Sequence, residues 1–227
     1  MKRLSRRLLL TLTIVALSAC TVLQRGEEHQ RTYQLVLPTL EAEHTDQREG
    51  SLSVSRLEVQ PGYDTSAIAY RRDAFELEYF ARSRWTDRPA RMIHPAIIDG
   101  LQALGPFRHT IDATAGIPTR FRMDVELVRL EQDFQQDPSV VRLDLRVRLL
   151  DRRGRDIVLS ETIRVRETAP SEDAAGGIIA ANRALEKAVR ELSDRLYQVT
   201  ASMELEDDDD DQSERRSRSA EMQRRTP

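Results

Sequence analysis

Three stretches in the second half of the chain alternate apolar and charged residues with a period of two, which constrains the fold more than any other feature. Their apolar positions are Phe121, Met123, Val125 and Leu127, then Val141, Leu143, Leu145, Val147 and Leu149, then Ile157, Leu159, Ile163 and Val165. Successive side chains of a strand point to opposite faces, so each stretch predicts a strand with one apolar and one charged face. The connections over residues 132–138 and 151–155 are short enough for hairpins, which predicts an antiparallel meander.

A long amphipathic helix is predicted directly after this meander. Ser171 can cap its start, and Glu172 and Asp173 in its first turn favour the helix dipole. The apolar stripe at three- and four-residue spacing consists of Ile178, Ala181, Leu185, Ala188, Leu192, Leu196 and Val199. An apolar sheet face and an apolar helix stripe are each unstable in water, so the two must bury one another.

The first half of the chain predicts shorter elements. Strands are expected over residues 33–37 and 52–59, and a hairpin over residues 67–79. A second amphipathic helix begins at Pro89, and its apolar stripe consists of Met92, Ile93, Ala96, Ile97, Leu101 and Leu104. Gly100 lies inside this stripe, where glycine weakens a helix by about 1 kcal/mol relative to alanine.

The first 19 residues predict a secretory signal peptide. Four basic residues precede the run from Leu8 to Leu17, which carries no charge. This run is about half the ~20 residues that cross a bilayer, so it predicts a signal sequence rather than a transmembrane helix. The stretch Leu17-Ser18-Ala19-Cys20 resembles a bacterial lipobox, in which the cysteine is acylated and becomes the new N-terminal residue. Cys20 is the only cysteine of the chain; the alternative is an ordinary signal peptide that a cysteine follows by chance.

These features divide the chain into four expected segments. A signal peptide (1–19) precedes the lipidated cysteine with a flexible tether (20–31), whose eleven residues after Cys20 reach at most ~35 Å when extended. A single folded domain (32–201) and a disordered acidic and charged tail (202–227) follow. Each buried acyl CH₂ contributes about 0.8 kcal/mol, so several acyl chains hold the protein stably on a membrane.

Composition and motifs argue against nucleic-acid binding and against catalysis. Removal of the signal peptide deletes four basic residues, which changes the formal net charge from −3 to −7, whereas phosphate binding requires a basic surface. The chain contains neither Gly-x-Ser-x-Gly nor a Gly-rich phosphate loop. No metal-ligand spacing relates the four histidines, which are His29, His44, His94 and His109. We therefore predict a protein that is not an enzyme and holds no cofactor or metal.

One block of the first half resembles a known family. The block contains Ile68-Ala69-Tyr70-Arg71, Phe75-Glu76-Leu77-Glu78-Tyr79, Arg84-Trp85 and Pro89. With the lipobox and the early tyrosine-containing strand, it is similar to the ABC-type transport auxiliary lipoproteins, a family that includes paraquat-inducible protein C. The resemblance extends over roughly residues 32–201 and excludes the loop 39–50 and the acidic tail.

The resemblance implies a mixed α/β sandwich that is attached by lipid to the outer membrane and faces the periplasm. Combined with the strand and helix patterns, the expected fold class is α/β (α+β): a mixed, largely antiparallel sheet packed with two long amphipathic helices in a single domain. The family implies an accessory role beside MCE-domain proteins and an ABC transporter that move lipids between the two membranes. The alternatives are a lipid carrier or homo-oligomeric ring with an apolar cavity, and a lipoprotein of an unrelated envelope assembly.

Two groups of residues are candidates for binding. Tyr70, Arg71 and Tyr79 lie in the family-like block, and strand alternation places some of them outward; Trp85 is either an interface anchor or, as we favour, a core residue. The second group is an arginine-rich hairpin end formed by Arg148, Arg152, Arg153 and Arg155. This group could face anionic lipid head groups, although a charged hairpin end that only maintains solubility is the preferred alternative.

Overall fold

The computed structural model of the protein describes residues 30–41, 50–104 and 107–224, with side chains described as far as Met203. The signal peptide, Cys20 and nearly all of the tether lie outside the described residues, as do His29 and His44. The described residues from Thr32 onward form one compact unit.

Within these ranges nine strands form one mixed sheet, and two long helices accompany it. The strands are β1 (Arg31–Tyr33), β2 (Ser51–Val54), β3 (Glu58–Val59), β4 (Ala67–Arg71), β5 (Glu78–Trp85), β6 (His109–Asp112), β7 (Phe121–Asp133), β8 (Val140–Asp151) and β9 (Asp156–Thr168). The helices are α1 (Pro89–Leu104) and α2 (Ala174–Arg224), and short 3₁₀ turns cover Pro61–Tyr63 and Ala113–Ala115. The expected fold class, a mixed sheet packed with two helices in a single domain, is confirmed.

Strand β7 organises the sheet. One edge of β7 pairs antiparallel with β8, which pairs antiparallel with β9, as the alternating pattern predicts. The other edge of β7 is shared by three short strands in succession, β2, β3 and β4, and all three pairings are parallel. Strand β6 extends the sheet beside β2, and β5 and then β1 extend it beside β4.

Both helices lie on the same face of the sheet. The inward side chains of β7 and β8 are almost fully buried, and Leu145, Val147 and Leu149 are 0% exposed. These side chains belong to one apolar cluster with the inner stripes of α1 and α2, and the two helices also contact each other. The other face of β7, β8 and β9 therefore carries the charged residues and is free of helices in the described part of the chain.

Gly100 is a point of close approach between α1 and α2. A Cβ atom at this position would lie 2.4 Å from Val189 Cγ1 and 2.9 Å from Leu37 Cδ2. The residue that weakens α1 as an isolated helix is therefore the one that lets the two helices pack closely.

We predict that Gly100→Ala lowers the free energy of unfolding by about 1–2 kcal/mol, because overpacking outweighs the gain of about 1 kcal/mol in helix propensity. Denaturation by urea measures the change. Gly154→Ala is the matched control, since a Cβ at Gly154 meets no atom within 4 Å. Stabilisation by Gly100→Ala would show that the helices do not meet at this residue.

The start of α2 differs from the prediction. Asp173, rather than Ser171, accepts the hydrogen bond from a free backbone group of the first turn, namely the N–H of Gly176 at 2.8 Å. Ser171 instead donates its hydroxyl hydrogen to Asp173, and Glu172 accepts the backbone N–H of Ser139 at 3.0 Å. The N-terminus of α2 is thereby attached to the start of β8.

Helix α2 also continues through residues 204–224, where the sequence predicts a disordered tail. The segment contains neither glycine nor proline, and most of its other residue types, such as Glu, Gln, Arg and Ala, favour helices. Among the described residues, neither helix contains an apolar stretch long enough to cross a membrane.

Candidate interaction site

The charged face of β7, β8 and β9 is a network of ion pairs between neighbouring strands. Arg146 of β8 contacts Glu126 of β7 at 2.5 Å, and Arg166 of β9 contacts Asp144 of β8 at 2.7 Å. Arg129 of β7 also approaches Asp144, with an N–O distance of 3.6 Å. Opposite charges across strands stabilise a sheet modestly, so most of this charge has a structural partner within the sheet.

Glu131 and Asp133 of this face have fully buried carboxylates, and Glu131 has the larger set of partners. The Glu131 side chain is 0% exposed and contacts the Arg71 guanidinium through both oxygens, at 3.1 and 3.3 Å. The Tyr63 hydroxyl donates a hydrogen bond of 2.5 Å to the same carboxylate. Burial, together with this hydrogen bond, raises the pKa of the Tyr63 phenol, and the hydrogen bond to Glu131 raises the pKa of Arg71. Glu131 thus joins β7 to the end of β4 that leads into the β4–β5 turn.

An aromatic cluster lies beside this carboxylate. The Tyr70 ring packs against Phe80 and Phe134 at centroid distances of 4.6 and 5.8 Å, and the Arg72 guanidinium lies 5.0 Å above the Tyr70 ring. The Tyr70 hydroxyl donates to Glu78 at 2.7 Å, and this hydrogen bond raises the pKa of the phenol. Tyr70 is 9% exposed, so its ring contributes mainly to packing.

The four candidate residues of the family-like block fall into two places. Tyr70, Arg71 and Tyr79 lie together at one end of the β4–β5 pair, whereas Trp85 ends β5 and belongs to the apolar cluster. Trp85 is 3% exposed, while Tyr79 is 41% exposed and donates its hydroxyl hydrogen to the Gly62 carbonyl at 2.9 Å. Partner binding by these residues stays a prediction, and Tyr79 has the most accessible side chain of the four.

Sequence reasoning gave no role to the most exposed apolar side chain of this region. Phe75 lies in the turn between β4 and β5 and is 98% exposed. The alternation of residues 75–79 suggested a strand, but β5 begins only at Glu78. The sequence predicts a turn at Arg71-Arg72-Asp73, and in the structure the turn extends past Phe75. Asp73 accepts the Phe75 backbone N–H at 3.0 Å, as aspartate commonly does from the residue two positions later.

The arginine-rich group lies at the β8–β9 hairpin. Arg148 lies on the charged face and lines an open depression of about 340 Å³, whereas Arg152, Arg153 and Arg155 are exposed in the turn itself. Asp151 orders this turn by accepting the Arg153 backbone N–H at 2.9 Å. Contact of these four arginines with lipid head groups stays a prediction.

The charged groups of the described surface form no metal centre. Within residues 30–41, 50–104 and 107–224, no set of three or more His, Cys, Asp or Glu side chains could hold a metal ion. His94 lies 3.7 Å from one Asp112 oxygen, and two hydrogen bonds from Thr114 lower the pKa of that carboxyl.

Comparison with known proteins decides the family. Residues 33–193 match the family of ABC-type transport auxiliary lipoprotein components. The chain belongs to this family. The match includes strands β2 to β9, helix α1 and the start of α2 as far as Ser193, and it confirms the resemblance that the block around Tyr70 and Trp85 suggested. No curated protein matches the sequence significantly.

Solved structures share the fold of this ABC-type transport auxiliary lipoprotein. Protein XCC0632 from Xanthomonas campestris, assigned to DUF330, superposes with a TM-score of 0.70 at 18% identity, over 77% of this chain and 98% of that chain. The crystal structure of an uncharacterized protein superposes with a TM-score of 0.59 at 9% identity, over 74% of this chain and 98% of that chain. At these identities the likeness concerns the fold alone.

Proposed function

We propose that this auxiliary lipoprotein is a non-catalytic subunit of an MCE/ABC-type system that transports lipids between the inner and outer membranes. Membership of the transport auxiliary family over residues 33–193 carries this proposal. In it, lipidation of Cys20 fixes the location, the tether sets the reach, and the α/β body contacts a partner protein.

Location at the periplasmic face of the outer membrane is part of the same proposal. The signal peptide and lipobox support export, and the family is one of lipoproteins. Thr21, rather than aspartate, follows the acylated cysteine, which agrees with the general behaviour of lipoproteins that reach the outer membrane.

The surface chemistry supports binding rather than catalysis. The carboxylates with the least exposed side chains on the charged face, Glu131, Asp133 and Asp144, are each paired with arginines of the same sheet. Charges that neutralise one another within a sheet stabilise its architecture and are not poised to transfer protons to a substrate.

A lipid carrier with an internal apolar cavity is the second candidate. The cavity between β4, β7 and α2 measures only about 10 Å³, whereas a groove of about 600 Å³ lies between residues 34–40 and α1. Pockets that enclose small molecules typically have volumes of about 300–1,000 Å³. The groove falls in this range, but Asp87, Arg91 and Asp99 are part of its lining, and charged side chains do not suit an acyl chain. This lining favours the accessory subunit. Mass spectrometry of extracted lipid tests the carrier, because an accessory subunit contains no stoichiometric lipid apart from its own anchor.

Co-purification tests the proposed function. We expect an affinity-tagged MCE-domain protein from the same bacterium to retain the full lipidated chain after extraction in mild detergent. An unrelated outer-membrane lipoprotein of that bacterium is the control and should not be retained. Equal recovery of both lipoproteins, or recovery of neither, contradicts the proposal.

A further inference from the structure

The tip of the β4–β5 hairpin, residues 72–77, holds two apolar side chains with opposite environments. Leu77 packs over Gly62, where its Cδ2 atom lies 2.9 Å from the position that a Cβ would occupy. Phe75, two residues earlier, is 98% exposed. Because a fully exposed phenyl ring forgoes a large favourable burial, its position at a protruding tip calls for a physical explanation.

The backbone of the tip is fixed by hydrogen bonds rather than left free. Asp73 accepts the Phe75 N–H at 3.0 Å, and Arg71 donates to the Ala74 carbonyl at 2.5 Å. Arg71 is in turn held by the buried Glu131 carboxylate. The aromatic ring is therefore presented on an ordered support, which lowers the entropic cost of binding it.

We propose that Phe75 is an anchor that inserts into an apolar pocket with a basic rim on a partner protein. Aromatic side chains that enter a desolvated pocket dominate the energy of many protein interfaces. The tip carries Asp73 and Glu76 against the single Arg72, which is formally an excess of one negative charge. Electrostatic complementarity therefore requires a basic partner surface around the ring.

The same charges argue against insertion of Phe75 into the membrane that carries the protein. Anionic lipids attract basic segments and repel acidic ones. The folded body also begins at the far end of β5, where the Tyr33 carbonyl accepts the Thr86 N–H at 2.7 Å. The eight residues of β5 separate this point from the tip by about 25 Å.

This inference rests on the proposed function, because the partner used to test it is the MCE-domain protein. We expect Phe75→Ser to weaken binding of the full lipidated chain to that protein at least tenfold, as measured by surface plasmon resonance in detergent. Ile117→Ser is the matched control, since Ile117 is 60% exposed and lies near the opposite end of β7. It should change the dissociation constant less than twofold.

The outcomes separate the two proposals. Binding by the unchanged protein together with equal binding by Phe75→Ser overturns the anchor and leaves the proposed function standing. Absence of binding by the unchanged protein overturns the proposed function and the anchor that rests on it. In a second measurement, Phe75→Trp should show no blue shift of its fluorescence with vesicles of phosphatidylethanolamine and phosphatidylglycerol; such a shift would assign the ring to the membrane.

Discussion

Cys20→Ala is expected to release the protein from membranes almost completely while its domain stays folded. Stable attachment needs several acyl chains, each held by about 0.8 kcal/mol per buried CH₂, and Cys20, the only cysteine of the chain, is the proposed acceptor. We expect the domain to stay folded because the apolar cluster of the described residues is built within the compact unit that starts at Thr32. Fractionation of cells, followed by circular dichroism of the released protein, measures both effects.

Thr21→Ala is the control for this experiment, since it changes the neighbouring residue and keeps the thiol. We expect the Thr21→Ala protein to stay in the membrane fraction. Sedimentation of the Cys20→Ala protein with membranes would show that the folded body, rather than the lipid, holds it there. That result would contradict the tether and require a membrane-binding surface on the domain.

The sheet could be predicted from the sequence where its strands are long and one face is apolar. A shift of register by one residue would turn every apolar side chain of β7 or β8 to the charged face, so the pattern itself specifies the pairing. The register from Phe121 opposite Asp151 to Leu127 opposite Leu145 follows this rule. The bulge after Leu127 could not be predicted in this way, because the apolar pattern does not show which residue is left unpaired.

The short strands could not be placed from the sequence. The pattern of residues 52–59 predicted one strand with a slip, whereas the chain forms β2 and β3, which pair separately with β7. Residues 33–37 were expected as a strand, but β1 ends at Tyr33. Elements of two to four residues have little intrinsic preference, so the tertiary partner decides where they pair.

The candidate binding surface could be predicted only in part from the sequence, because its contacts join residues that are distant in the chain. Strand alternation from Phe121 to Leu127 would place Glu131 on the apolar face, and the bulge after Leu127 turns it to the charged face. Charged residues are seldom fully buried unless they are paired. The partners that bury the Glu131 carboxylate, Tyr63 and Arg71, are 68 and 60 positions away in the chain. No local pattern shows such a contact, and the ordered presentation of Phe75 depends on it.

Glu131→Ala is expected to lower the free energy of unfolding by about 3 kcal/mol. Removal of one partner from a buried ion pair leaves the other charge without compensation. Here the Arg71 guanidinium and the Tyr63 hydroxyl would lose their acceptor at a site where the carboxylate is 0% exposed. Denaturation by urea of the full chain in detergent measures this loss.

Glu126→Ala provides the matched control, because Glu126 lies on the same strand and face and also pairs with an arginine. Its side chain is 16% exposed, and its partner Arg146 is 48% exposed, so the substitution should cost below about 1 kcal/mol. Equal costs for the two substitutions would mean that burial of Glu131 contributes nothing, and the hairpin would then be held by its backbone pairing alone. A larger loss of stability for Glu131→Ala would show that the buried carboxylate stabilises the sheet. The same carboxylate holds Arg71, which in turn fixes the backbone of the tip.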